Sequence, residues 1–226
     1  MIVDRGHDWS ASVQDELSCY GADMFVFRNH EGETCRAVNR YTGEHRDFDY
    51  LTERIRIEPI DLVPTRLVRS NWLHFVCSPT RALVIYEQLT NDDRTPQEWR
   101  PKLCWEPIPA LCVPEEFESL RQMLPHLAVF SPNHEEAWGL FGVSPEESNA
   151  RGKAGIEEVA QKFVAEGATG NVVIRCGALG AYVLDTRGQG SWVPAYHTDP
   201  SRVVDPTGAG NSFLVRWTEC RHRTVS

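Results

Sequence analysis

The chain has no Cys-x-x-Cys pair, although it contains seven cysteines. They are spread over the whole sequence, at positions 19, 35, 77, 104, 112, 176 and 220. An odd and evenly spread set is a poor framework for disulfides, and no cluster of cysteine and histidine has the spacing of a zinc site. We therefore expect reduced, mostly buried thiols and a cytoplasmic protein.

Positive charge and long apolar runs are also scarce. The chain carries 23 Lys and Arg against 32 Asp and Glu, for a net charge of −9. This balance argues against a broad surface for nucleic acid or anionic membranes, and no apolar run approaches the length of a membrane span. We expect no nucleic-acid or membrane partner. The 226 residues suffice for one domain with a sizeable core, while the oligomeric state stays open.

Short apolar segments alternate with helical patterns along most of the chain. The patterns predict a helix with an apolar face over 12–20, further helices over 79–89, 114–124 and 156–166, a buried parallel strand over 72–77, and strands over 102–105, 127–130, 172–176 and 182–184. Strands that alternate with helices form a mostly parallel sheet with helices on both faces. Ligand sites on such sheets lie beyond the carboxyl ends of the strands.

Residues 203–213 have the pattern of a strand that turns into a helix. Val203 and Val204 end an apolar strand, and the Asp-Pro-Thr that follows cannot continue it. Gly208-Ala209-Gly210 then allows a close backbone approach, and the first amides of a helix have no partners. This combination suits a phosphate or a developing oxyanion. A glycine-rich turn without any ligand is the alternative.

The segment 205–213 resembles the C-terminal signature of the PfkB (ribokinase-like) carbohydrate kinases, D-T-T-G-A-G-D-x-F. The resemblance implies that Gly208, Ala209 and Gly210 form the anion hole of a kinase. Pro206 and Asn211 depart from the signature, in a way that resembles a fungal, killer-virus-maintenance-like branch of the family. Position 211 is where the family has its general base, and the amide of Asn211 cannot take the proton of an acceptor hydroxyl.

Two further motifs resemble the family in order and spacing. Asn133 and Glu136 match its N-x-x-E motif, which implies a role in organising magnesium and phosphate. Glu136 is equally explained as a favourable charge at a helix start. Residues 172–183 resemble the nucleotide-side hairpin, with its turn at Gly177 and Gly180.

Three other residues are assigned to the nucleotide side by the same resemblance. Arg175 lies where the family often has Thr or Lys, and it would either contact the phosphates or block the nucleotide. Asp205 and Thr207 match positions whose loop binds a monovalent cation in some relatives. Asp205 is also a reasonable cap for the turn.

The resemblance implies a ribokinase-like three-layer α/β/α fold with a mostly parallel sheet. The family's N-terminal strands, its Gly-Gly substrate motif and its C-terminal helices have no match, so we expect a fold that is incomplete at both ends. We predict a single partial domain over 1–226, with a lid segment over 29–49 and the recognisable motifs over 125–214.

Two functions follow from the resemblance, together with a simpler alternative. The first is ATP-dependent phosphoryl transfer, with Mg²⁺, to a sugar or nucleoside hydroxyl, impaired because Asn211 stands at the base position and the substrate motif is absent. The second is a non-catalytic pseudokinase that serves as a scaffold or binds a ligand. The third is a fragment without stable folding. The sequence does not decide whether the chain is an enzyme.

Overall fold

The structure, a computed structural model, describes residues 1–21, 23–42, 45–197, 199 and 208–214. The chain divides into two compact units, of which the first comprises Met1–Ser70 with Gln88–Trp99 and the second Asn71–Glu87 with Arg100–Ser226. The single domain predicted over 1–226, with its lid segment, stays a prediction. Among the described residues, none of the helices combines the length and apolar content needed to cross a membrane.

Two small sheets and two α-helices lie within the described residues of Met1–Ser70 in the first unit. Its elements are β1 (Ile2–Arg5), α1 (Ala11–Ser18), β2 (Val26–Asn29), β3 (Ala37–Thr42), β4 (His45–Tyr50) and α2 (Pro59–Leu62). β1 pairs with β2 in parallel, and β3 forms an antiparallel hairpin with β4. Arg28 holds β2 in place, because its guanidinium contacts Asp4 and Asp61, each at 2.7 Å.

Helix α1 confirms the helix predicted near residues 12–20, but its apolar face is not buried. Val13 is 40% exposed and Tyr20 65% exposed, and none of the residues of α1 is buried. A helical spacing of apolar residues shows which side chains share a face. It does not show whether a partner covers that face.

In its described residues, the second unit is built on a six-stranded sheet. Its elements are β5 (Trp72–Val76), α3 (Pro79–Asn91, whose end belongs to the first unit), β6 (Lys102–Glu106), α4 (Phe117–Met123), β7 (Val129–Phe130), α5 (His134–Gly139), α6 (Pro145–Ala150), α7 (Gly152–Ala165), β8 (Asn171–Arg175), β9 (Ala181–Leu184) and β10 (Gly190–Val193). The strand order is β10-β9-β8-β7-β6-β5. Strands β5 to β8 are parallel, and β9 and β10 are antiparallel additions. The predicted α/β architecture with a mostly parallel sheet is confirmed.

Alternation along the strands gives the sheet two buried faces. On one face Phe130 packs edge-on against Phe163 of α7, with ring centroids 4.9 Å apart. On the opposite face Leu214, from a helix over 209–214, is 1% exposed within a cluster of strand residues: Cys104, Val129, Val173 and Val183. Helices therefore cover both faces.

The burial predicted for the strand at 72–77 is wrong, although its parallel pairing is confirmed. β5 is the edge of the described sheet, and each of its residues is either partly buried or exposed, with Val76 46% exposed. An apolar run of this length fits an edge strand as well as a central one, because periodicity does not report a strand's place in the sheet.

Candidate functional site

Strands β6 and β8 deliver a carboxylate and a guanidinium to the same end of the same sheet face. Glu106 follows Cys104 by two positions, and Arg175 follows Val173 by two. Side chains two apart on a strand point to the same face, and Cys104 and Val173 share the cluster that holds Leu214. The residues therefore meet at the carboxyl ends of parallel strands, where ligand sites of α/β sheets occur.

Arg175 is the centre of the charged cluster at this end of the sheet. Its Nη1 lies 2.9 Å from Glu106 Oε2, and its Nη2 lies 3.4 Å from Glu136 Oε2. Nη2 also donates to the carbonyl oxygen of Ser131 at 3.1 Å. The Arg175 side chain is 19% exposed and the two carboxylates are at most 5% exposed, so the ion pairs are largely shielded from solvent.

The cluster extends from Glu106 toward β5 and into the core. His74 Nε2 lies 2.7 Å from Glu106 Oε1, so both oxygens of this buried carboxylate have protein partners. Cys104 lies on the same sheet face, and burial, reinforced by the Glu106 charge, raises the pKa of its thiol to about 12. The thiol is therefore neutral at physiological pH and is no nucleophile.

Asn133 and Glu136 form a reciprocal capping box at the start of α5. Asn133 Oδ1 accepts a hydrogen bond from the Glu136 amide at 2.7 Å, and Glu136 Oε2 accepts one from the Asn133 amide at 2.7 Å. A bridge with parallel strand geometry joins Asn133 to Arg175. Sequence reasoning placed both residues at one site, and the structure brings them together with Arg175.

This arrangement does not fit a magnesium ion held directly by Asn133 and Glu136. The oxygens that would bind it are already used by the capping box and by Arg175. Within the described ranges, no group of three or more His, Cys, Asp and Glu side chains could hold a metal ion. The metal role stays a prediction, in disagreement with the donor atoms present.

The predicted anion turn begins a helix that packs on the sheet beside Arg175. Gly208 has a φ of 79°, which glycine adopts readily, and its carbonyl accepts from the Ser212 amide at 2.9 Å. The amides of residues 209–211 therefore precede the first bonded turn. A Cβ added to Gly210 would lie 2.5 Å from Arg175 Nη1, so the guanidinium lies directly against this backbone.

Asn211, at the predicted base position, is exposed at the start of this helix. Asp205 and Thr207 lie outside the described residues. Gly177 and Gly180 flank a short 3-10 turn between β8 and β9, with φ of 52° and 90°. A Cβ on Gly180 would collide with the carbonyl oxygen of Val193, so this glycine is required by packing. The site roles of all these residues stay predictions.

Sequence reasoning missed Glu106, which is 2% exposed and pairs with both His74 and Arg175. A signal was present, because a carboxylate directly follows the apolar run of β6 and precedes Pro107. Charged residues at the carboxyl end of a buried strand are candidates for a site. His74, which belongs to the strand predicted to be buried over 72–77, is partly exposed and bonded to this carboxylate.

The profile of the pfkB family carbohydrate kinases matches residues 107–215. This chain is related to that family. The predicted resemblance to the PfkB family and to a fungal branch is borne out by this match and by two curated relatives, which both come from yeasts. Protein MAK32 of Saccharomyces cerevisiae is 32% identical over 231 residues, and an uncharacterized protein of Schizosaccharomyces pombe is 29% identical over 227 residues. Each alignment covers 94% of this chain, which spans 62% of the length of either relative.

Solved structures of the family's fold agree with the architecture. Adenosine kinase of Anopheles gambiae superposes with a TM-score of 0.69 at 16% identity, over all of this chain and 67% of that one. Phosphofructokinase-2 of Escherichia coli superposes with a TM-score of 0.67 at 14% identity, over 100% of this chain and 70% of that one. Ribokinase of Arabidopsis thaliana, complexed with ribose and ATP, superposes with a TM-score of 0.60 at 14% identity, over 94% of this chain and 65% of that one. The ribokinase-like fold is therefore established.

Proposed function

We propose that this protein is an impaired PfkB-type kinase, which uses ATP to phosphorylate a sugar or nucleoside hydroxyl with a slowed transfer step. The observation that carries the proposal is the approach of the Arg175 guanidinium to the backbone of Gly210, at the turn where the family binds phosphate. A fixed cation and unpaired amides at one point suit a phosphoryl group.

Each part of the turn has a role in this proposal. The amides of Ala209 and Gly210 donate to the oxygens of the transferring phosphoryl group, and Arg175 offsets its charge. Phosphoryl transfer depends chiefly on positioning and charge stabilisation. With the donating amides and the charge of Arg175 in place, we expect part of the transfer rate to remain even without the general base.

Asn211 is the reason for the slowed step. Its carboxamide can orient the acceptor hydroxyl by a hydrogen bond but cannot take its proton at neutral pH. A positioned general base contributes about 10²- to 10⁴-fold to a rate. No step is assigned to a metal ion held by Asn133 and Glu136, since their oxygens are engaged within the protein.

The test is Asn211→Asp, assayed by ADP release with a panel of sugars and nucleosides. We expect one acceptor to give a rate about 10²- to 10⁴-fold above that of the wild type. Asn91→Asp places the same charge at the exposed end of α3 and should leave the rate at the wild-type level. Equal rates for Asn211→Asp and the wild type, with ATP bound, would reject the kinase proposal.

A non-catalytic pseudokinase is the second candidate. It is favoured by the ion pairs of Arg175 with Glu106 and Glu136, because these charged groups neutralise each other within the protein. Thermal unfolding with and without ATP separates a ligand-binding protein from a scaffold, because a ligand of the native state raises the midpoint. A cooperative transition that millimolar ATP does not move favours the scaffold.

A further inference from the structure

Two buried carboxylates, Glu106 and Glu136, hold the Arg175 guanidinium, which lies against the backbone of Gly210. At least three of the four carboxylate oxygens have protein partners in the described part of the chain. Glu106 uses Oε1 for His74 and Oε2 for Arg175, and Glu136 Oε2 contacts both the Asn133 amide and Arg175. The negative charge that would attract a divalent cation is thus directed onto an arginine of the same chain.

A magnesium ion bound directly to Asn133 Oδ1 and Glu136 Oε2 would have to displace these partners. Magnesium takes oxygen ligands in a near-octahedral arrangement at roughly 2.1 Å. Asn133 Oδ1 would have to release the Glu136 amide, and Glu136 Oε2 would have to release Arg175. Each loss leaves a polar group of the site without its partner. In the present arrangement the Glu136 amide satisfies Asn133 Oδ1, and the guanidinium satisfies Glu136 Oε2.

The guanidinium also lies where a cation would serve a bound phosphate. It contacts the acidic groups on one side and the backbone of Gly210 on the other. Its Nε is buried and has no hydrogen-bond partner among the described residues. An arginine presents several donors in a fixed plane, and this geometry matches phosphate oxygens.

We propose that Arg175 takes the place of the divalent cation, so that this chain binds the phosphates of ATP without a divalent metal. The inference rests on the proposed function, since it concerns the ligand of the same turn. Arg175 is a binding residue in this account, and its pairing with Glu106 and Glu136 holds it in position.

Calorimetric titration with ATP, in excess EDTA and in excess Mg²⁺, tests the inference. We expect the wild type to bind with similar affinity in both buffers. Arg175→Thr should bind about 10- to 100-fold more weakly in EDTA, the range of one lost charge-assisted contact, and recover with Mg²⁺. Arg175→Lys keeps the charge but not the planar set of donors, so its affinity in EDTA should lie between those of the wild type and Arg175→Thr. Arg121→Thr, at an exposed pair with Glu118, should match the wild type.

Binding of Mn²⁺ alone, followed by electron paramagnetic resonance, gives a readout that needs neither ATP nor activity. We expect the wild type to bind no Mn²⁺ tightly, and Arg175→Thr to bind one ion at the vacated carboxylates. If Arg175→Thr fails to fold, ATP binding by the wild type in EDTA and in Mg²⁺, together with ATP binding by Arg175→Lys, still tests whether binding needs a divalent metal. Wild type that binds ATP only with Mg²⁺ overturns this inference and leaves the proposed function standing, whereas no ATP binding in either buffer overturns both.

Discussion

Arg175 and Glu106 come from strands that are not neighbours, yet Arg175 Nη1 lies 2.9 Å from Glu106 Oε2. Strand β7 lies between β6 and β8, and adjacent strands are about 4.8 Å apart. β7 ends at Phe130, but the chain continues between its neighbours, since the Ser131 amide donates to the Trp105 carbonyl and the Arg175 amide to the Pro132 carbonyl. The two long side chains therefore meet across this segment. The ion pair thus joins strands whose backbones do not pair.

Glu106→Ala should destabilise the second unit strongly. Removing one partner of a buried ion pair leaves the other charge uncompensated, at a cost of about 3 kcal/mol. The contact of Arg175 with Glu136 limits the loss. Urea unfolding followed by tryptophan fluorescence measures it. Glu118→Ala, at an exposed pair, should leave the midpoint unchanged, and equal midpoints for both variants would refute the structural role of the pair.

Gly210→Ala should lower stability in the wild-type background and raise it without Arg175. Alanine at a helical position is favoured over glycine by about 1 kcal/mol. In the wild type, however, the new Cβ would meet Arg175 Nη1 at 2.5 Å, and such overpacking costs about 1–3 kcal/mol. The Arg175→Thr background removes this contact. A double-mutant cycle by thermal unfolding should show the change of sign, and the same sign in both backgrounds would contradict it.

Asn133→Ala should cost about 1 kcal/mol, the usual value of an N-cap, and EDTA should not change that cost. Asn133 Oδ1 satisfies the Glu136 amide, which is a structural role. Asn133→Asp should recover most of the loss. Ser144→Ala removes the cap of α6, where Ser144 accepts from the Glu147 amide, and provides a matched control. A wild-type midpoint that falls when EDTA is added would instead support a metal at Asn133.

Thiol labelling of the folded protein at pH 8 should separate two groups of cysteines. Cys19 and Cys35 are exposed and should react within minutes, whereas four are buried and should react only on unfolding: Cys77, Cys104, Cys112 and Cys176. Burial raises the pKa of Cys104 and of Cys176 to about 12, so the reactive thiolate is scarce. Peptide mapping by mass spectrometry identifies the labelled residues. Rapid labelling of Cys104 in the folded state would contradict the packing of the sheet.

The thiols of Cys104 and Cys176 should lower the free energy of unfolding at alkaline pH. Their pKa values are higher in the folded state than the value of about 8.5 expected on unfolding, so above that pH the unfolded chain loses protons more readily. The contribution of the protonated thiols to the free energy of unfolding is fully present below about pH 8.5 and decreases as the pH rises toward 12. Unfolding midpoints in urea at pH 8 and pH 10 measure the effect. A midpoint that is constant over this interval would contradict it.

The regular elements of the second unit were largely predictable, because each depends on a local pattern. The apolar runs of β6 and β8 and the spacing of α7 gave their positions within a few residues. The engagement of Arg175 was not predictable, since its partners are 69 and 39 positions away in the sequence, at Glu106 and Glu136. Nor was the exposure of β5 or of α1, since a sequence pattern does not show which neighbour covers a face.

Strand β7 contributes two residues to the sheet, Val129 and Phe130. So short a strand offers few side chains to choose between alternative alignments with its neighbours. A slip of β6 or β8 by one position would turn Glu106 or Arg175 toward the aromatic face of the sheet, where a lone charge is costly. The ion pair between Glu106 and Arg175 can form only when β6 and β8 both have the native register with β7. It therefore stabilises this register over the alternatives.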